Sequence, residues 1–259
     1  MLRTARTLKN YKLECIDGEL GKAKEFHFDT QCWIVRYLIA ETGSWLAGRK
    51  ILISPHAMDS IRREDQHIFI DLNKNQIKDA PLLYNNHPIS REFEEENCRY
   101  YDWPIYWHSQ SFGEQQPRLR NRNYDQWNEC KHDNIVCDIR LRSTLEINDF
   151  HIQTLDNDIG HIEDFIIDDA AWVIRYLIVS IRSGWPEYRV LIPPQWINRI
   201  SDTEGKVFVS FNRESFDQMQ EYTEESLLNL NYETELCSNY NLSYDQFEKV
   251  DRRAEEHEY

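Results

Sequence analysis

The sequence predicts a mainly β protein: two small antiparallel β-barrels in tandem, each followed by short helical segments. Three observations predict it. The chain repeats itself without a gap at an offset of 139 residues, each copy is built of short strands bounded by turn residues and prolines, and each ends in one brief Asn-capped helix. Asp17-Gly18-Glu19-Leu20-Gly21 lies over Asp156-Asn157-Asp158-Ile159-Gly160, Asp29 over Asp168, and Trp33 over Trp172. The run Arg36-Tyr37-Leu38-Ile39 lies over Arg175-Tyr176-Leu177-Ile178, and Pro55, Phe69 and Asn73 fall on Pro194, Phe208 and Asn212. So long a period excludes a solenoid of small units and predicts that each copy folds around its own core.

Taken in order, Asp17-Gly18 and Asp156-Asn157 supply the turn residues of a hairpin. Gly21 and Gly160 sit where the backbone needs either a positive φ or a close approach. Lys22–Phe28 and Ile162–Ile167 alternate in part, as a half-buried strand does. Trp33–Ala40 and Trp172–Val179 are β-branched, aromatic and nearly continuously apolar, the composition of a strand covered on both faces. Lys50–Ile53 and Arg189–Ile192 end at prolines, which stop a ladder. A short last strand, Ile68–Leu72 or Val207–Phe211, leads to helical turns that Asn73 and Asn212 are placed to cap. Many short strands with one brief helix describe a small barrel, with a β-sandwich as the alternative. The repeat then continues, with Glu94, Glu96, Cys98 and Tyr101 on Glu233, Glu235, Cys237 and Tyr240. The division is a first barrel over 1–82, a helical and aromatic linker over 83–139, a second barrel over 140–221 and an acidic helical or frayed segment over 222–259.

The 259 residues carry a net charge of -15, unevenly: residues 1–85 hold 13 Lys and Arg against 11 Asp and Glu, and the remainder 17 against 34. An acidic surface disfavours general binding to nucleic acid or anionic lipid. The first residues have no apolar run after their arginines, and no window is long and apolar enough for a membrane span, so a cytoplasmic location is expected. Six scattered cysteines suit reduced thiols rather than a disulfide framework.

The set taken together resembles the PRC-barrel family: an Asp shortly before a Gly, a strand ending in Asp29, the strand Trp33–Ile39, the Leu-Ile-x-Pro of Leu52–Pro55, and Ala80-Pro81 after the helix. The likeness covers both copies, roughly 1–82 and 140–221, although the second has Gln218-Met219 where the first has Ala-Pro. Pro88–Glu92 through Tyr101-Asp102-Trp103-Pro104 and Tyr106-Trp107 also resembles the region after the barrel in stand-alone bacterial members. The resemblance implies an assembly and docking module, similar to the cytoplasmic part of the H subunit of photosynthetic reaction centres and to the C-terminal domain of a ribosome maturation factor. Neither the membrane helix of the one nor the extra N-terminal domain of the other is recognisable here, so neither specific role carries over.

The candidate sites each have a plain structural reading beside a functional one. Trp103, Tyr106 and Trp107 form a rigid aromatic run suited to a protein-binding hot spot, or to packing back on a barrel. Arg118, Arg120 and Arg122, with Tyr124 and Trp127, make a basic and aromatic stretch of the kind that meets RNA. Arg36 and Arg175 occupy one place in an apolar strand, where the stem packs on aromatic rings and the head meets a carboxylate, or a shared ligand is contacted. Asp29 and Asp168 shape the turn between two strands; Asp168 with Asp169, or Asp29 with Glu41, are the carboxylate pairs open to acid–base work. Cys130, His132 and Cys137 lack zinc-site spacing, so no metal is expected. No His-Glu-x-x-His, Gly-x-Ser-x-Gly, Walker or dinucleotide pattern occurs, and no cofactor is expected. The expectation is therefore a non-catalytic adaptor for a protein partner, a monomer with internal pseudo-twofold symmetry or a dimer. An RNA or ribosome-assembly factor, a peripheral subunit of a membrane electron-transfer complex, and an enzyme or small-ligand sensor with a closed pocket are the alternatives.

Overall fold

The computed structural model describes residues 1–83, 89–107, 141–181, 188–210, 212, 213, 216, 219 and 221–224. The first half comprises β1 (Leu2–Thr4), α1 (Ala5–Lys9), β2 (Lys12–Cys15), β3 (Gly18–Asp29), β4 (Val35–Thr42), β5 (Lys50–Ile53), β6 (Met58–Arg62), β7 (His67–Ile70), α2 (Lys74–Lys78) and α3 (Arg91–Tyr101). The second repeats it as β8 (Leu141–Ser143), α4 (Thr144–Ile147), β9 (His151–Gln153), β10 (Asp158–Asp168), β11 (Val173–Ile181), β12 (Tyr188–Ile192), β13 (Ile197–Ser201) and β14 (Lys206–Val209).

The strands lie in two seven-stranded mixed sheets, ordered β5-β4-β3-β2-β7-β6 and β12-β11-β10-β9-β14-β13. This corrects the expectation of purely antiparallel barrels in two respects. β2 pairs β7, and β9 pairs β14, in parallel. Nor does hydrogen bonding close either sheet among the described residues. The ends of the first path, β5 and β6, are consecutive in the chain and joined by a 3-10 turn at Pro55–Ala57, with the same arrangement at Pro194–Trp196. A proline there cannot donate to a ladder, and the chain turns a corner instead. Asn73 caps α2 as expected: its side chain accepts from the Gln76 N–H, and Gln76 answers with a bond from the Asn73 N–H.

The short first strand of each half sits in the other half's sheet. β1 pairs β10, with Leu2 opposite Asp168 and Thr4 opposite Ile166. β8 pairs β3, with Leu141 opposite Asp29 and Ser143 opposite His27. The two registers are identical under the 139-residue offset, so the exchange is reciprocal. Between the crossings Ile34 bridges Val173, its own repeat equivalent. The Val35 N–H donates to the Trp172 carbonyl at 2.7 Å and the Ile174 N–H to the Trp33 carbonyl at 2.8 Å. Both tryptophans are buried and hold the left-handed backbone, with φ of 56° and 55°, a conformation that a bulky residue keeps only when its surroundings impose it.

The two halves also share their interior. One hydrophobic cluster runs from Leu8, Leu13 and Phe26 through Trp33 to Ile162, Phe165 and Trp172. Phe28 lies 5.9 Å from Phe165, and Phe26 lies 6.0 Å from Trp172, centroid to centroid. The expectation of a separate core in each copy is thereby corrected: the aromatic faces that a lone copy would leave in water are buried against its repeat.

Candidate functional site

Asp29 ends β3 and turns the chain into β4. Its Oδ1 accepts from the backbone N–H of Gln31 at 3.2 Å and of Cys32 at 2.6 Å, which leaves Oδ2 for Arg36 Nε at 2.8 Å. The pair is enclosed, with side-chain exposures of 1% and 6%. Tyr106 covers it, its ring centroid 4.2 Å from the guanidinium carbon of Arg36.

Tyr106 belongs to a buried polar network that α3 assembles. Its hydroxyl donates to Glu94 Oε2 at 2.8 Å, while Arg91 Nη1 lies 3.0 Å from Oε1. The Tyr37 hydroxyl meets Cys98 Sγ at 3.8 Å. Burial holds the Glu94 carboxyl above its ordinary pKa, against the bonds from Tyr106 and the charge of Arg91. Burial, then the nearness of Glu94, pushes the phenols of Tyr37 and Tyr106 up, and burial pushes the Cys98 thiol up. A raised thiol is a poor nucleophile. His56 is held below its ordinary value by burial and by Arg36. The cavity among Arg36, Tyr37, His56, Cys98, Trp103 and Tyr106 measures about 20 Å3, space for a single water. Among the described residues both Glu94 oxygens are engaged, Oε2 by Tyr106 and Oε1 by Arg91.

Trp103 and Tyr106 are buried. Trp103 stacks on Tyr101 at 4.2 Å and joins the main cluster. Tyr106 packs with Tyr37, Ile39 and Leu52 on the outer face of β4 and β5, with the partly buried Trp107 beside it. Of the two readings of this run, its described rings lie back on the first sheet. Trp107 also receives Arg91, 4.1 Å from its ring centroid.

The repeat pair is looser. Arg175 Nη2 reaches Asp168 Oδ2 at 3.2 Å, with side-chain exposures of 19% and 9%, and Asp168 Oδ1 accepts from the Ala170 N–H. Asp29 and Glu41 are not brought together: Glu41 lies near the far end of β4 and pairs with Lys24 at 2.6 Å. Asp168 and Asp169 do adjoin, but Asp169 is enclosed by Arg3 and Arg63. Arg118, Arg120 and Arg122, like Cys130, His132 and Cys137, lie outside the described residues. Among the described residues no helix is long and apolar enough to cross a membrane, and no group of three or more His, Cys, Asp or Glu is placed to hold a metal ion.

Sequence reasoning missed a pair of surface positions. Ile16 and Leu155, equivalent under the repeat, stand at the tips of the β2–β3 and β9–β10 hairpins, 69% and 70% exposed. The signal was available in the alignment of the copies, where a large aliphatic residue adjoins the turn Asp both times. No family model matches the chain, and no curated protein matches it.

Proposed function

We propose that this chain is a non-catalytic adaptor, built of two PRC-barrel-like halves, that binds a protein partner through both of its far ends. The observation that carries the reading is the pair Ile16 and Leu155. A single exposed aliphatic residue is ordinary, but here the same exposure recurs at the same turn of both copies. Each tip is set apart from the junction between the halves by a long strand. β3 has 12 residues and β10 has 11, so each carries the chain roughly 35–40 Å from its tip to the crossing strand. Reciprocal strand exchange and a shared core support a fixed relation between the tips, which favours engaging two sites at once. The resemblance to a docking family adds to the reading, as does a buried centre whose polar groups are taken up in holding one another.

The test is affinity capture of the tagged protein from lysate of its own organism after nuclease treatment, with Ile16→Glu, Leu155→Glu and the double variant alongside. The expected result is a protein species retained by the parent, weakened by either substitution and lost with both. Recovery unchanged by the double variant overturns the role of the tips. Material recovered only without nuclease replaces the adaptor reading with an RNA-associated one.

A further inference from the structure

The two crossings are alike in backbone and unlike in charge. Beside β1, Asp169 of the second half is 1% exposed and is held by two arginines of the first half. Arg3 Nε lies 3.2 Å from its Oδ2, and Arg63, from the β6–β7 turn, is bidentate at 3.3 and 3.1 Å. The Met1 nitrogen lies 2.9 Å from Oδ1. Beside β8 the equivalents are Arg142, Asp202 and Thr30. There Arg142 bonds Asp202 within its own half, and the position that corresponds to Asp169 is uncharged. The basic strand residue is thus constant, while the turn residue after β3 or β10 and the hairpin residue after β6 or β13 have changed together.

We infer that these residues form a pairing code that makes each half accept the unlike half. Were a first half to pair with another first half, Arg3 and Arg63 would meet Thr30, leaving two guanidiniums at the seam with no acid. Were a second half to pair with another second half, Asp169 would meet an Arg142 already satisfied by Asp202, and a buried carboxylate would face a second acid. Only unlike pairing gives the Asp169 carboxylate its bidentate arginine. Since the backbone registers of the crossings are identical, hydrogen bonding makes no such choice, and the charges supply it, as repulsive elements do in other specific pairings. The surface at each seam is therefore a recognition surface whose fitting partner is the unlike half, here supplied by the same chain.

The code makes a prediction in the full-length chain that ordinary loss of an ion pair does not. Thr30→Asp with Asp169→Thr conserves composition and net charge but reverses the code. Closed on itself, this variant has two arginines without an acid at one seam and a surplus acid at the other, while like halves from two chains now match. It should lose closed monomer to a dimer of twice the chain mass by size exclusion with light scattering, and melt lower by on the order of 10 °C. Adding Arg63→Asp and Asp202→Arg transplants the whole code to the opposite seams and should restore both the single-chain mass and most of the melting temperature. The inference fails if the double variant keeps the parent's mass and melting temperature. It fails equally if the four-residue variant is no better than the double, including the case in which neither folds. A folded, single-chain four-residue variant beside an unfolded double counts in its favour.

Discussion

The pairs Asp29–Arg36 and Asp168–Arg175 occupy the same repeat position, close the same turn and each join a carboxylate to a guanidinium, yet one is enclosed and the other is partly open to water. The enclosed pair has a cover from beyond its sheet. Tyr106 lies over Arg36 and is itself fixed by Glu94 of α3, so a segment beyond the first sheet determines how dry that pair is. The strands and their turn set the geometry of the Asp29–Arg36 pair, and the segment after the sheet sets its local dielectric. An ion pair's contribution depends more on the second than on the first.

The largest expected effect tests that statement directly. Asp29→Ala leaves the Arg36 guanidinium buried without its acid and frees two turn N–H groups, a loss of about 3–5 kcal/mol in denaturant unfolding. Asp168→Ala removes the same carboxylate from a wetter site, and about 1–2 kcal/mol is expected. Equal losses would mean that enclosure by Tyr106 contributes nothing.

The next pair meets the same obstruction in both halves, with added backbone strain at Gly21, whose φ is 155°. A Cβ on Gly21 would stand 2.0 Å from the Glu41 carbonyl oxygen, and one on Gly160 would stand 1.9 Å from that of Ser180. In both the obstruction is backbone of the neighbouring strand, which cannot swing aside. Gly21→Ala and Gly160→Ala are each expected to cost about 1–3 kcal/mol by thermal or denaturant melting, with Gly21→Ala the larger; a larger loss at Gly160 would show that the first sheet yields more readily than the second.

These glycines also mark how much the sequence discloses. Their need for close approach was legible because it is local, as were the Asn73 cap and the strand Lys50–Ile53. The edge strands β6 and β13 were not: Met58-Asp59-Ser60-Ile61-Arg62 is mostly polar because an edge strand with one wet side needs little apolar residue. The three-residue strands β1 and β8 were illegible for another reason. Their partners lie more than 100 residues away, and nothing local distinguishes pairing with the same copy from pairing with the other. The aromatic run over residues 103–107 was ambiguous because large rigid rings serve an interface and an interior equally well. What lay open and unread was the set of places where the copies differ, Thr30 against Asp169 and Arg63 against Asp202.

A smaller effect is expected within the network. Tyr106→Phe keeps the ring over Arg36 but removes the hydroxyl that Glu94 accepts from, while Arg91 remains. A loss of about 1 kcal/mol is expected near neutral pH. Because Glu94 titrates above its ordinary 4.5, its burial disfavours the ionised form. The stability it confers is full below its unfolded value and is lost as pH rises through the folded one. Glu94→Gln in the Tyr106→Phe background should therefore recover stability at pH 7 and change little at pH 4, read from chemical melts at the two values.

The smallest effect concerns two carboxylates that hold the crossing strands. Glu25 of β3 accepts from the Ser143 hydroxyl at the β8 crossing, and Asp164 of β10 accepts from the Arg6 N–H at the β1 crossing. The two titrate in opposite directions. At Glu25 burial works upward, but the hydrogen bonds from His27 and Ser143, with the nearby charges of His27 and Lys50, outweigh it and hold the carboxyl below its ordinary 4.5. At Asp164 burial outweighs the bonds from Phe165 and Arg6 and holds the carboxyl above 3.8. By linkage Glu25 adds stability that is present above 4.5 and lost as pH falls through its folded value. The contribution of Asp164 is present below 3.8 and lost as pH rises through its folded value, each by no more than about 1.4 kcal/mol per pH unit. Acidification should therefore loosen β8 before β1. Amide hydrogen exchange followed from pH 6 to pH 3, corrected for intrinsic rates, should show protection falling first at Arg142 and Ser143, with Arg3 and Thr4 holding. Glu25→Gln should remove that ordering and Asp164→Asn should leave it, whereas simultaneous loss at both crossings would mean that the two carboxylates sense one cooperative unit rather than two seams.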